Sequence, residues 1–139
     1  MRQYLELREK HGASEAREIA LVGLPERQVA RLGPLIESKG LADGLSAAVP
    51  GLAAIGITTD FVDVSTDTED AALEIMLTCT CQVAADELGL TEAEPVVCDL
   101  DLAATDRAFP ELDVRVLARQ TDRRNVCVFR FARPRMENR

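Results

Sequence analysis

The chain has 139 residues, enough for one domain with a real hydrophobic core, and an apolar share of 47% with only six prolines and eight glycines excludes a disordered or repetitive protein. With 24 acidic against 16 basic residues, the net charge of −8 repels phosphate backbones and anionic lipid surfaces, which argues against nucleic-acid and membrane partners. Residues 1–6 contain no apolar leader and no stretch approaches the ~20 apolar residues of a membrane span, so the four cysteines are expected as free thiols in a cytoplasmic protein.

The N-terminal part, 1–50, reads as helical. Ser14 is placed to cap a segment in which Ile19, Ala20 and Leu24 recur at helical spacing, and Gly23-Leu24-Pro25 punctuates it. A second helix is predicted from Pro25, with Val29, Leu32, Leu35 and Ile36 on one stripe and Pro34 expected to kink or divide it. After Lys39-Gly40, a short helix through Leu41, Leu45 and Val49 is expected to stop at Pro50-Gly51. The apolar stripe of this part suits packing or a homodimer contact.

The period changes near residue 56. Residues 57–65 are rich in Thr, Val, Ile and Phe, and a polar turn over 65–70 predicts a hairpin with a return strand over 72–81. Alternation along that strand puts Leu73, Ile75, Leu77, Cys79 and Cys81 on one face, and Glu74, Met76, Thr78 and Thr80 on the other. Good helix formers over 82–88, closed by Gly89, predict a helix starting at Cys81. Another is expected from Cys98-Asp99 to Phe109-Pro110. Residues 112–120 and 126–132 then form a second hairpin around 121–125. The predicted fold is a single α+β domain: N-terminal helices, then a ββααββ part over 57–133 whose two hairpins pair into a mostly antiparallel four-stranded sheet, with two helices between them.

Chemistry concentrates in the cysteines. Cys81 and Cys98 each fall at a predicted helix start, where free backbone N–H groups and the positive dipole end favour a thiolate. Cys127 alternates with Phe129 and Phe131 on the last strand, and Cys79 reads as a packing residue, the usual role of a buried free cysteine. Asp99 and Asp101, beside Cys98, are candidate bases or orienters. Arg115 and Arg130 are candidate partners for a substrate carboxylate, or simply solvated strand residues. The Cys79-Thr80-Cys81 spacing, with its partners far off in sequence, is poor for zinc, and no glycine-rich phosphate loop, nucleophile elbow or His-Glu-x-x-His is present. No cofactor and no metal is therefore called for. The single histidine, His11, lies in a polar N-terminal segment, so a thiol enzyme here must move its proton by carboxylate, water, Tyr4 or a second cysteine.

The ordered set Cys81-Gln82-Val83-Ala84-Ala85-Asp86-Glu87, Cys98-Asp99-Leu100-Asp101 and Cys127-Val128-Phe129-Arg130-Phe131 resembles the L-2-amino-thiazoline-4-carboxylic acid hydrolase family over residues 57–133, with Gln82 where the family often has proline. The resemblance implies hydrolytic opening of a cyclic amidine, with Cys81, Cys98, Asp101 and Cys127 at the matched positions; Asp99, Arg115 and Arg130 are candidate substrate contacts on the reading of the residues alone. A competing reading is a small-molecule-binding or sensory domain, because the same layout looks like vinyl-reductase-type sensor domains and needs no catalysis. A third is an interaction protein, favoured if Val29, Leu32 and Ile36 are exposed.

Overall fold

A computed structural model describes residues 1–122 and 124–135; Arg123 of the predicted second turn and residues 136–139 of the arginine-bearing tail lie outside the described residues. Five helices come first: α1 (Arg2–His11), α2 (Ala13–Leu21), α3 (Leu24–Lys39), α4 (Leu41–Ser46) and α5 (Val49–Ala54). They are followed by β1 (Thr59–Asp63), β2 (Glu69–Met76), α6 (Thr80–Glu87), α7 (Val96–Ala108), β3 (Asp113–Ala118) and β4 (Cys127–Pro134). The fold is α+β, with both hairpins and both intervening helices present as expected. The sheet runs β1-β2-β4-β3 and every neighbouring pair is antiparallel, so the hairpins join through β2 and β4.

The N-terminal boundaries differ from the sequence reading in three places. Ser14 lies inside α2, because Gly12, at φ 82°, takes the N-cap position and separates α2 from α1. Pro34 does not divide α3, which runs unbroken to Lys39. Pro50 opens a helix instead of stopping one: it sits in the first turn of α5, where its missing N–H has no intrahelical acceptor to lose.

Register decides which sheet face is the interior. Ala72 pairs with Phe131, Glu74 with Phe129 and Met76 with Cys127 across β2 and β4, and Phe61 of β1 pairs with Glu74. This row faces the helices, and Phe129, Phe131 and Ala72 join Leu32, Ile36, Leu41 and Leu45 in the core. Leu73 and Ile75, in the more apolar of the two alternating sets, point to the other face and are half-buried. The stripe of α3 is used mainly internally: Leu32 and Ile36 are buried, Leu35 is half-buried and Val29 is 45% exposed, so the condition for the interaction-protein reading is not met.

Two backbone features hold the layers. Gly89, at φ 67°, ends α6 with the Leu90 N–H donated to the Ala85 carbonyl (2.9 Å) and its own N–H to that of Asp86 (3.1 Å), the pattern a glycine closing a helix provides. Gly44 lets α4 lie directly on α3: a Cβ there would stand 2.7 Å from the Ile36 Cα and 2.8 Å from its nitrogen. Both are backbone atoms that cannot swing aside. Gly44→Ala is therefore expected to destabilise the fold by roughly 1–3 kcal/mol, read as a lower urea midpoint at unchanged slope. Among the described residues no helix is long and apolar enough to cross a membrane.

Candidate functional site

Between the helices and the inner face of the sheet lies a cavity of about 240 Å³. Leu32, Ile36, Leu45, Phe109, Phe129 and Phe131 give it apolar walls, and a few polar groups converge on it: Gln28 and Arg31 from α3, Glu74 from β2, and Cys98, Asp101 and Thr105 from α7. An apolar space of this size, closed by covalently distant elements and marked by few polar groups, suits a ligand about as large as a small heterocycle.

The thiols meet beside this cavity, although not by the predicted route. The return strand ends at Met76, and the chain turns back through Leu77 and Thr78 instead of extending to Cys81. The Thr58 N–H donates to the Thr78 hydroxyl (3.1 Å), the Leu77 N–H donates to the Thr58 carbonyl (2.8 Å), and Cys79 caps α6 by accepting the Gln82 N–H on its sulfur at 3.4 Å. Capping and turn bonds have won over strand propensity. Cys79 thus has a structural task, and so has Cys127, whose sulfur accepts the Gln120 N–H at 3.2 Å. Burial comes first in pushing the Cys127 thiol up, against that hydrogen bond.

Cys81 and Cys98 form a pair with their sulfurs 3.4 Å apart. Cys81 is fully buried, at 0% exposure, while Cys98, at 8%, reaches the cavity wall. The Cys81 thiol is pulled down to about 6, above all by the hydrogen bond from the Cys98 thiol, against burial and with help from the Cys98 and Val97 backbone N–H groups. Those N–H groups belong to the first turn of α7, so the Cys81 sulfur sits where that helix concentrates its positive dipole. Cys98 is pushed up, first because it is the donor in that bond, then by burial. One proton shared by two sulfurs is the physical content of both shifts.

The remaining site residues of the sequence reading separate into two groups. Asp101 stands one helical turn beyond Cys98 on the cavity wall, accepting the Gln28 side-chain N–H at 3.0 Å. Surrounding protein pushes its carboxyl up, opposed by Arg31 and by the Gln28 bond. Its outer edge is open to solvent, as is Arg31, so the two mark the mouth, where water limits that shift. Asp99, Arg115 and Arg130 lie away from the cavity. Asp99 pairs with Arg119 at 2.5 Å on the exposed side of α7, Arg115 with Asp113 at 2.7 Å, and Arg130 with Glu69. Arg115 and Arg130 are cross-strand partners on the sheet face turned from the helices.

Of the polar cavity residues that escaped the sequence reading, Glu74 and Gln28 bear most on the site. Glu74 is 9% exposed and has its carboxyl raised to about 7 by burial, against the hydrogen bond from the Thr59 hydroxyl (3.1 Å), with ionised Asp101 opposing its charge. Gln28 is 7% exposed, and its Oε1 has no hydrogen-bond partner among the described residues. Each had a signal. Glu74 is the one acid inside the run Ala71 to Leu77, and Gln28 precedes Leu32 and Ile36 at steps of four on the buried stripe of α3.

His11 lies 3.2 Å from Glu15, and Tyr4 lies under Arg8, both on the N-terminal helices and neither on the cavity. Among the described residues no group of three or more His, Cys, Asp or Glu is placed to hold a metal ion. No protein-family model and no curated protein matches the chain.

Steric access and proton sharing set an order of thiol reactivity. At neutral pH iodoacetamide is expected to alkylate Cys98 first, through the cavity, with Cys79, Cys81 and Cys127 protected by burial. Peptide mass mapping of a time course checks that order.

Proposed function

We propose that the cavity binds a small, mainly apolar cyclic amidine of thiazoline type and that the Cys81–Cys98 pair on its wall opens the ring by hydrolysis. The observation that carries this reading is the 3.4 Å contact between a sulfur that borders the cavity and a fully buried sulfur whose thiol is pulled down by that contact. It supplies what a thiol enzyme without an active-site histidine lacks, a proton acceptor that titrates near neutrality beside the nucleophile.

The Cys98 thiol passes its proton to Cys81 as its sulfur attacks the amidine carbon, a transfer favoured when a cationic amidine sits against the forming thiolate. The tetrahedral adduct expels the ring sulfur, which takes the proton from Cys81. Water then adds to the resulting isothiourea on Cys98 and displaces the cysteine. Net, one water is consumed: its oxygen becomes the carbonyl of a urea, one hydrogen ends on the released thiol and one on the former ring nitrogen. Asp101 lines the same cavity, and in this reading its carboxylate accepts a hydrogen bond from the attacking water or from the amidine N–H.

The test is a thiol-release assay with 2-aminothiazoline and its 4-carboxylate. Saturable release with formation of the matching urea is the expected result. Saturable binding of either compound with no thiol release identifies a non-catalytic binding domain of the sensory kind.

A further inference from the structure

Glu74 does no work in the reaction just described, yet it is a carboxylic acid placed on the central part of a sheet, between Phe61 and Phe129 in register, and it borders the cavity. Such a group is costly to bury and weakens the inner face unless something uses it. Its only hydrogen bond among the described residues is from Thr59, to one oxygen. Nearby, the Gln28 amide is fixed by two acceptors, the Asp101 carboxylate (3.0 Å) and the Asp101 carbonyl (3.4 Å), which together determine that its nitrogen faces them. That leaves the Gln28 Oε1 as an acceptor without a donor. The cavity therefore carries three side chains with acceptor capacity to spare, Glu74, Gln28 and Asp101.

We propose that Glu74, with Gln28 and Asp101, forms a cation-selecting subsite in the cavity, taking a ligand head that presents several N–H donors and positive charge, and that Glu74 gives up its proton as that head binds. This deepens the reading given above, resting on the same cavity but not on catalysis. The groups that face Glu74 are consistent with it. From α7 come Asp101, whose charge opposes a second carboxylate when the cavity is empty, and Cys98; from α3 comes Arg31 at the mouth; β1 and β4 contribute Thr59, Phe61 and Phe129, none of them charged. Among the described residues no lysine or arginine reaches Glu74 in a hydrogen bond, so the charge that would let it ionise is to come from the ligand. A neutral ligand of the same shape leaves Glu74 protonated and gains nothing from it. The carboxyl then acts as a filter on charge, with Glu74 the residue that sets specificity.

The experiment uses two probes of nearly equal shape that lack the sulfur leaving group, 2-aminoimidazoline, a cyclic guanidine and a cation, and 2-imidazolidinone, its neutral cyclic urea. Calorimetry on the wild-type chain at pH 7, in buffers of different ionisation enthalpy, is expected to show binding of the cation with release of roughly half a proton and weaker binding of the urea with none. Glu74→Gln, which keeps the acceptor for Thr59, is expected to lose at least about tenfold in affinity for the cation, to leave the urea unchanged and to abolish the proton release. Equal affinity for both probes in the wild type, no binding of the cation at millimolar concentration, or proton release that persists in Glu74→Gln would each overturn the proposal. Neither probe can be ring-opened by loss of sulfur, so a failed hydrolysis assay alongside selective, proton-linked binding would remove the enzyme reading and leave the subsite standing.

Discussion

Replacing Cys98 by serine is expected to lower thiol release from a thiazoline substrate by roughly three orders of magnitude or more, the loss that follows removal of a covalent nucleophile whose partners act as a unit. Serine keeps the size and the hydrogen-bonding capacity of the side chain, and the cavity wall should stay intact. What it removes is a sulfur that ionises within reach of Cys81. A hydroxyl oxygen is a far weaker nucleophile than a sulfur toward the amidine carbon, and the sulfur pair that shares one proton is broken. Cys81→Ser should also lose most turnover, but by removing the proton acceptor, and Cys98 would then recover part of its rate at alkaline pH. Divergent pH profiles in the two variants separate nucleophile from base; turnover retained at wild-type level in both would contradict covalent thiol catalysis.

The second large effect concerns stability. Burial raises the Glu74 carboxyl from its ordinary value of 4.5 to about 7, so the folded chain holds a proton that the unfolded chain has released. Stability from this group is complete below about pH 4.5 and is lost as pH rises through about 7, on the order of 3 kcal/mol by pH 8. Glu74→Gln removes the ionisable group while keeping an oxygen for the Thr59 hydroxyl. The variant should match the wild type near pH 4.5 and exceed it by up to about 3 kcal/mol at pH 8. Urea denaturation across that range checks it, and parallel curves for the two proteins would show that Glu74 ionises as freely as an exposed glutamate.

Much of the architecture was legible because the periods are clean where they matter for topology. The Thr- and Val-rich run before the polar turn at 65–70, and the Cys127-Phe129-Phe131 alternation, defined two hairpins that do pair through their return strands. The cavity was not legible, since it forms only when α3 and α7 cross the inner sheet face, and no local pattern reports that crossing. Alternation in β2 was visible, but it did not say which side is the interior. Leu73 and Ile75 are larger and more apolar than Ala72 and Glu74, yet the face shared with Phe129 and Phe131 is the one the helices cover. The cysteine positions were partly readable: Cys81 and Cys98 do lie in the first turns of α6 and α7. Their 3.4 Å contact is a tertiary fact that joins two helix starts far apart in sequence. The arginines show the opposite limit. Arg115 and Arg130 sit on strands as expected, but a one-residue alternation is enough to turn them from the cavity, toward Asp113 and Glu69.

The central claim is that Cys98 forms a covalent bond with the carbon of a cyclic amidine, assisted by Cys81. The most direct test is intact-mass and peptide mapping of the protein quenched in acid during turnover of 2-aminothiazoline-4-carboxylate. An adduct of the whole opened substrate is expected on the peptide carrying Cys98, absent from Cys98→Ser and chased to free enzyme and urea product on dilution. Turnover with no adduct on any cysteine, or an adduct confined to Cys79 or Cys127, would contradict it.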